Sequence, residues 1–395
     1  MLVKTGLLID GTGAPPVHNC ILAVEDGRIA AVGRQSDFAA DAVQAAVDHS
    51  SCCLLPGLID CHVHLFLEGV AEVKAREERW REPRDITLLR AAKNAERSLW
   101  QGVTAVRDLG GPASIGATLK KAVGDGVLSG PRILTCHQAI SAPGGHFHYA
   151  GGREADGPSD VAKAVREQVK AGADVIKLMA TGIVNFRSES AGAVQLSLAE
   201  IKAAVREAGR FGRPVSVHAN GPAGVQTALT AGVRTLEHGA LLDEATVARL
   251  AASETYWVPT LSPFNQMLAY ARQAAVASLP PAGLERIIVR HAAMVRRAIA
   301  AGAKVVAGTD AGSLGVNHGE VWREVAALAE LGLPALAAIA AATGLAAEAC
   351  GLGGEAGVIA AGRPADFIVV AGNPLTDIKL LGQVVRVYKD GIAIR

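Results

Sequence analysis

Residues 54–65 read Leu-Leu-Pro-Gly-Leu-Ile-Asp-Cys-His-Val-His-Leu, and the predicted fold is built outward from this stretch. An apolar run passes through Pro56 and Gly57 and ends in two histidines, His62 and His64. Alternate residues of a β-strand share one face, so both imidazoles would point the same way. Two imidazoles on one face can bind a metal ion, although a single His-x-His pattern is also typical of structural histidines.

The composition predicts a large buried core. Half of the 395 residues are hydrophobic, 19% are charged and only 4% are aromatic, so the core must consist of Ala, Val, Leu and Ile. The formal net charge is +1 and no block of Lys and Arg stands out. This charge pattern argues against nucleic acid or an anionic membrane as a partner.

The cysteines and the N-terminus indicate the compartment. None of the six cysteines forms a C-x-x-C pair, so neither a zinc knuckle nor a disulfide framework is expected. Cys61 would face away from the two histidines and is interpreted as a core residue. The first residues lack the apolar segment of a signal peptide, and no apolar stretch reaches membrane-spanning length. We therefore expect a cytoplasmic protein.

The two ends of the chain share a pattern of short strands separated by turns. Apolar runs end at Asp-Gly, Gly or Asn-Pro turns near the N-terminus and again near the C-terminus, with no helix period among them. We predict one small β-sandwich domain assembled from both termini, residues 1–53 and 355–395.

Residues 54–354 alternate between strand-like and helix-like segments. Segments with a helix period, such as 159–171, 198–211 and 284–301, separate most of the strands. The eight predicted strands are 54–65, 103–106, 132–135, 174–178, 214–218, 234–238, 256–259 and 304–307. This pattern is that of a (β/α)8 TIM barrel, whose active site lies at the C-terminal ends of the strands. Residues 66–85 are predicted to form a charged helical insertion near that end.

Six residues with side chains that can bind metal fall at or just beyond the ends of predicted barrel strands. They are His62, His64, Lys177, His218, His238 and Asp310. Because the strand ends of a barrel meet at one rim, we expect these side chains to lie close together.

Lys177 lies inside the apolar run 175–179, where a bare ammonium group is costly to bury. Three interpretations are open: a salt bridge with a carboxylate, a Schiff-base lysine, and a lysine carbamylated by carbon dioxide that bridges two metal ions. The four histidines favour the carbamate, because a Schiff-base enzyme does not need them. Two divalent ions bring four positive charges, of which the carbamate, Asp310 and a bridging hydroxide would cancel three. The remaining positive charge suits a developing oxyanion.

Four motifs resemble those of the amidohydrolase superfamily. They are Pro-Gly-Leu-Ile-Asp-x-His-x-His at 56–64, Val-His-Ala at 217–219, Glu-His-Gly at 237–239 and Gly-Thr-Asp-Ala at 308–311. Residues 361–366 also resemble the superfamily's return into its small β-domain, so the resemblance covers essentially the whole chain.

The resemblance implies two divalent metal ions, which we expect to be zinc. His62, His64 and Asp310 would hold the more buried ion, and His218 with His238 the more exposed one. Lys177, carbamylated, would bridge the two ions. Asp310 would also take the proton from the bridging water and pass it to the leaving group.

Within the superfamily, Ala-Pro-Gly-Gly-His-Phe-His at 142–148 resembles the branch of metal-dependent Xaa-Pro and Xaa-Arg dipeptidases and imidazolonepropionase-like proteins. The resemblance implies that His146 polarises the scissile carbonyl, and the alternative is a loop histidine. His137 and His148 are interpreted as structural or supporting residues, and His318 as the start of a helix.

The chain departs from this branch at one position. Members that bind a substrate carboxylate often have a tyrosine soon after the fifth-strand histidine, where this chain has Asn220 and Gly221. Arg187 and Ser188, after the fourth strand, are expected to take over that contact.

The predicted function is hydrolysis of an amide or peptide bond in an N-acyl amino acid or small dipeptide by a metal-bridging hydroxide. Alternatives are hydrolysis of carbamates, aryl amides or cyclic amides on the same site, and a non-hydrolytic decarboxylase or isomerase. An inactive scaffold is a further alternative, but all six ligands are retained. The expected partner is a small-molecule substrate, and the expected assembly is a homo-oligomer.

Overall fold

The computed structural model describes residues 1–70, 72, 75, 78–183, 190–274 and 280–394, which form a mixed α/β fold. Its strands are β1 (Leu2–Leu8), β2 (Val17–Glu25), β3 (Arg28–Arg34), β4 (Val47–Pro56), β5 (Leu58–Val63), β6 (Val103–Asp108), β7 (Arg132–Thr135), β8 (Ile140–Ser141), β9 (Arg153–Glu154), β10 (Ile176–Met179), β11 (Val215–Ala219), β12 (Thr235–His238), β13 (Tyr256–Val258), β14 (Phe367–Ala371), β15 (Val384–Lys389) and β16 (Ile392–Ala393).

The described α-helices are Ala40–Ala45, Arg84–Trp100, Ile115–Gly124, Gly157–Lys170, Leu198–Gly209, Pro222–Ala231, Glu244–Ala251, Leu261–Ala274, Pro281–Ala300, Val321–Glu330, Ala335–Ala340 and Gly344–Cys350. The helices starting at Gly157, Leu198 and Pro281 confirm the three that the helix period predicts. At the start of the helix Leu198–Gly209, the Ser197 hydroxyl accepts a hydrogen bond from Glu200 N, and the Glu200 carboxylate accepts one from Ser197 N. These two hydrogen bonds give partners to backbone amides that the helix itself leaves unpaired.

Strands from both ends of the chain share one seven-stranded sheet. Its order is β16–β15–β14–β4–β1–β2–β3, with β14 antiparallel to β4 and β1 parallel to it. The two ends of the chain therefore meet in one sheet, as the turn pattern predicts. The packing of two sheets into a sandwich stays a prediction.

Two parallel sheets lie between these terminal strands along the chain. Their orders are β5–β6–β7 and β13–β12–β11–β10–β8–β9. Every residue of β5, β6, β11 and β12 is buried, so the charged side chains on these strands, such as Arg107 and Glu237, are buried as well. Seven of the eight predicted barrel strands are present, as β5, β6, β7, β10, β11, β12 and β13.

The eighth predicted strand, 304–307, is wrong as a regular strand. Val305 forms only an isolated parallel bridge with β13. Ala307 N donates to Ala341 O at 2.8 Å, which interrupts the ladder with a neighbouring strand. The segment still lies beside β5, because Ala307 O accepts from Cys61 N at 3.1 Å.

The predicted insertion at 66–85 lies partly outside the described residues. The regular helix in this region begins at Arg84 and ends at Trp100. Of the helices that the structure describes, none has both the length and the apolar character needed to cross a membrane.

Candidate metal centre

One cavity of about 210 Å³ lies at the ends of the parallel strands. Its lining includes all six predicted metal ligands, His62, His64, Lys177, His218, His238 and Asp310, together with His146. Parallel strands end on the same side of their sheet, so residues far apart in the sequence meet at this edge. The predicted convergence of these side chains is confirmed.

His62, His64 and Asp310 form a close group in the cavity. One ligand atom from each residue lies within 4.8 Å of the others. Asp310 Oδ1 is 3.6 Å from His62 Nε2 and 3.4 Å from His64 Nε2. Two imidazole nitrogens and a carboxylate oxygen at these separations could hold a divalent ion.

Each of the four histidines predicted to bind metal is anchored through one ring nitrogen. The anchoring pairs are His62 Nδ1 with Glu237 Oε2 (2.8 Å), His64 Nδ1 with Gly110 O (2.8 Å), His218 Nε2 with Gly182 O (3.2 Å) and His238 Nδ1 with Thr260 Oγ1 (2.8 Å). Such a bond fixes the tautomer and the ring orientation, so that the opposite nitrogen can bind a metal.

Glu237 connects His62 to a buried arginine. Arg107 Nη2 donates to Glu237 Oε1 at 2.9 Å, and the hydroxyls of Ser216 and Thr235 donate to the same oxygen at 2.7 and 2.6 Å. Burial opposes ionisation of Glu237, but the charges of Arg107 and Lys177 and these hydrogen bonds hold its pKa below the ordinary value. Glu237 is therefore a carboxylate that orients His62.

Lys177 is buried, and its amine has no hydrogen-bond partner among the described residues. Its side chain is 1% exposed, and Nζ makes no hydrogen bond to any residue that the structure describes. Burial lowers its pKa to about 8, although the negative charge of Glu237 opposes this shift. A buried amine without a hydrogen-bond partner is energetically costly. Metal ions near Lys177, bound through a modified Lys177 side chain, would remove that cost.

Burial also lowers the pKa of His62, His218 and His238 well below the ordinary value, and nearby positive groups add to the effect. A lowered pKa favours the neutral form of these imidazoles. Only a neutral imidazole can bind a metal ion, so the cavity holds its histidines in the form that binding requires.

Asp310 is positioned by the segment that leads to it. Thr309 donates from N and Oγ1 to the two carboxylate oxygens of Asp60 at 2.9 and 2.6 Å, which attaches the segment to β5. Ser313 Oγ then donates to Asp310 Oδ2 at 2.6 Å. Asp310 and His238 both have positive φ, 51° and 69°, a backbone conformation that few residues other than glycine adopt.

These groups lie within a stretch that matches a known family. The sequence model of the amidohydrolase family matches residues 53–393, which include every cavity residue named above. The chain belongs to the amidohydrolase family. Membership confirms the resemblance predicted from the four motifs.

Two solved structures of amidohydrolases resemble this one along its whole length. Ochratoxinase from Aspergillus niger is 31% identical over 428 residues, 99% of this chain and 85% of that protein. Its crystal structure has a TM-score of 0.87 and 30% identity, covering 100% of this chain and 95% of that chain. A Xaa-Pro dipeptidase with methionine bound in its active site has a TM-score of 0.90 and 29% identity, covering 100% and 99%. The family and these hydrolases support an enzyme that acts on amide bonds.

His146 lies beside His218, one of the candidate metal ligands of this amidohydrolase. Its ring centroid is 4.6 Å from that of His218, and its backbone N donates to Gln195 Oε1 at 2.9 Å. His137 and His148 have structural contacts: Ser114 N donates to His137 Nε2 at 2.8 Å, and His148 Nδ1 donates to Gly145 O at 2.6 Å.

The remaining predicted residues lie at the edge of the site or beyond it. Arg187 and Ser188 fall outside the described residues. Asn220 lines the cavity, and its Nδ2 donates to Gly182 O at 3.2 Å. His318 precedes the helix Val321–Glu330 and donates from Nε2 to Leu67 O at 2.9 Å.

Glu237 and Arg107, which support the candidate site through His62, were not among the predicted site residues. A signal was present for both, because Arg107 directly follows the predicted strand 103–106 and Glu237 lies inside the predicted strand 234–238. Two opposite charges in buried strands predict a buried ion pair. The residues lie far apart in the sequence, however, so the sequence does not show which two form it.

Proposed function

We propose that this amidohydrolase is a two-metal enzyme that cleaves the amide bond of an N-acyl amino acid or small dipeptide. The proposal rests on one observation: four anchored histidines, Asp310 and the Lys177 amine, which makes no hydrogen bond to a described residue, surround one cavity. His62, His64 and Asp310 would hold one ion, and His218 with His238 the other. Imidazole and carboxylate ligands suit zinc.

The proposed fold of residues 54–354 is a closed (β/α)8 barrel. Residues 304–311 lie between β13 and β5, and Asp174 N donates to Thr135 O at 2.8 Å across the gap between β7 and β10. These contacts support closure of the two parallel sheets at both junctions. Residues 1–53 and 355–395 would form the separate β-sandwich domain.

The bound ions would activate a water molecule and polarise the amide carbonyl. Asp310 lies within 3.6 Å of His62 Nε2 and would take a proton from the attacking water. It would then return that proton to the leaving nitrogen. His146 would donate a hydrogen bond to the carbonyl oxygen, because its ring lies beside His218 on the cavity wall.

Lys177 would react with carbon dioxide. A bond forms between Nζ and the carbon of CO2, and an amine proton leaves to solvent, so that the side chain becomes a carbamate anion. Native mass spectrometry should show the mass of one CO2, lost on acid treatment. Lys177→Ala should lose metal and activity, with partial rescue by short-chain carboxylic acids. An unmodified lysine in a fully metallated crystal structure would contradict this step.

Arg187 is proposed to bind the substrate carboxylate, since a guanidinium fork matches a carboxylate bidentately. Arg187→Met should raise KM sharply for an N-acyl amino acid and much less for the matching N-acyl amino amide. Arg187→Lys, which retains the charge, should have an intermediate KM. Equal effects on both substrates would remove Arg187 from this role.

The deciding experiment combines elemental analysis of purified protein with turnover of N-acyl amino acids, dipeptides, lactams and carbamates. We expect two divalent ions per chain and hydrolysis of an acyl amino acid or dipeptide. Protein without stoichiometric metal would refute the metal centre. Faster turnover of carboxylate-free carbamates or aryl amides would favour the alternative substrates and leave the metallohydrolase proposal intact.

A further inference from the structure

Aromatic rings form a continuous wall from the solvent to the metal-binding histidines. Trp80 and Tyr149 are 38% and 41% exposed, and their ring centroids are 5.0 Å apart. The Tyr149 ring is 6.4 Å from that of His146, which is 4.6 Å from that of His218. A substrate that enters the cavity therefore passes two exposed aromatic faces before it reaches the reacting centre.

A further part of the cavity wall is apolar. Pro263, Phe264, Met267 and Leu314 all line it. Phe264 and Leu314 are buried in one cluster, so these side chains have fixed packing partners. The helix that carries Phe264 is fixed at its start, because Glu324 accepts from Leu261 N and Ser262 N at 2.7 Å each. A preformed apolar wall is typical of a binding site for an apolar group.

Among the described lining residues, Lys177 and Asp310 are the basic and acidic side chains other than histidine, and both belong to the metal centre. An ionised substituent between the two walls would lose its water and gain no partner from the described lining. An uncharged ring would instead gain contact with Trp80 and Tyr149.

We propose that this wall is a subsite for an uncharged aromatic group within one or two bonds of the scissile carbonyl. The position follows from His146, which lies between Tyr149 and His218 and would contact the carbonyl oxygen. The inference rests on the proposed amide hydrolysis and names the substrate class of that same site. Aromatic amides, rather than short aliphatic ones, are its substrates.

The test uses the purified metal-loaded enzyme and two substrate series. In the first, acetyl, benzoyl and 2-naphthoyl groups are attached to alanine, so that the ring is one bond from the scissile carbonyl. In the second, acetyl, phenylacetyl and 2-naphthylacetyl groups are attached to alanine, so that the ring is two bonds away. The kcat/KM ratio of the best aromatic substrate to the acetyl-alanine reference should be at least about tenfold, since 1.4 kcal/mol of selective contact is tenfold.

Trp80→Ala and Tyr149→Ala should each lower that ratio by roughly threefold to tenfold, mainly through KM, because each removes one aromatic contact. Tyr149→Phe retains the ring and should retain the ratio. Trp100→Ala is the matched control, since Trp100 is 45% exposed and lies outside the described cavity lining. Thermal melting of each variant verifies folding.

A ratio near one in the parent enzyme, or a ratio that Trp80→Ala and Tyr149→Ala leave unchanged, would overturn the subsite. If the parent enzyme hydrolyses none of these amides, the proposed function fails, and calorimetry with 2-naphthamide then tests the subsite alone. Binding that Trp80→Ala weakens and Trp100→Ala does not would support it. No detectable binding would overturn it.

Discussion

Glu237→Gln should damage metal binding and stability together. The substitution retains the shape of the side chain and removes its charge. Arg107 is buried and directs Nη2 at Glu237 Oε1, so the variant leaves a buried guanidinium without its counter-charge. Breaking a buried ion pair on one side costs about 3–5 kcal/mol. We expect the free energy of unfolding of the metal-free protein to fall by about that amount.

The same variant should change the tautomer of His62. In the parent protein, Glu237 Oε2 accepts a hydrogen bond from His62 Nδ1 at 2.8 Å. In the variant, the amide nitrogen of Gln can only donate. If that nitrogen faces His62, the imidazole proton moves to Nε2, the atom that faces Asp310. Loss of such an orienting partner typically weakens metal binding by about 10-fold to 100-fold. Competition with a fluorescent chelator measures this affinity.

A second substitution separates the two effects. Arg107→Met in the Glu237→Gln background removes the unpaired charge and should recover part of the lost stability, while metal affinity stays low. Urea unfolding of the two single variants and the double variant gives the coupling energy. Unchanged metal affinity in Glu237→Gln would refute the orienting role of Glu237, and simple additivity of the two substitutions would refute the ion pair.

Three further results are expected. Asp310→Asn should lower kcat by at least about a hundredfold while elemental analysis still finds metal, because it removes the proposed proton acceptor; near-normal turnover would place the proton transfer elsewhere. Thr260→Val removes the anchor of His238 and should weaken metal binding by about tenfold or more in the chelator assay. Burial lowers the pKa of His291 and His318 from 6.5 to about 4. The free energy of unfolding should therefore be highest above pH 6.5 and fall as the pH drops from 6.5 towards 4, because the unfolded chain binds protons that the folded chain does not. A free energy of unfolding in urea that does not change over this pH range would contradict this.

The sequence predicts the side chains that meet in the cavity better than the groups that anchor them. His62 and Asp310 are recognisable because a polar side chain at the end of an apolar strand is unusual. The anchors of His64 and His218 are backbone carbonyls of Gly110 and Gly182, and every residue has such a group, so no residue type marks them. Their location depends on the packed loops, which sequence periodicity does not describe.

Pairing across the fold limits prediction in the same way. The run at 304–307 has the composition of a strand, but Ala307 N bonds to Ala341 O instead of to a strand. Local strand propensity cannot predict this hydrogen bond, because its acceptor, Ala341 O, lies in another part of the chain. Arg107 and Glu237 illustrate the same limit, since each charge is visible in the sequence and their contact is not.

Gly239→Ala tests whether the backbone next to His238 has to be glycine. Gly239 has φ +66°, and an added Cβ would lie 2.9 Å from Trp257 Nε1, the atom that donates to His238 O at 2.9 Å. Gly232 is a matched control with φ +78° and no atom within 4 Å of an added Cβ. Both alanine variants should lose roughly 1–2 kcal/mol from the left-handed backbone, but only Gly239→Ala must also displace the indole that holds His238. We therefore expect Gly239→Ala to be the less stable variant in urea unfolding and the only one of the two with lowered metal content. Equal losses of stability with full metal content in both would show that the Trp257 contact does not position His238.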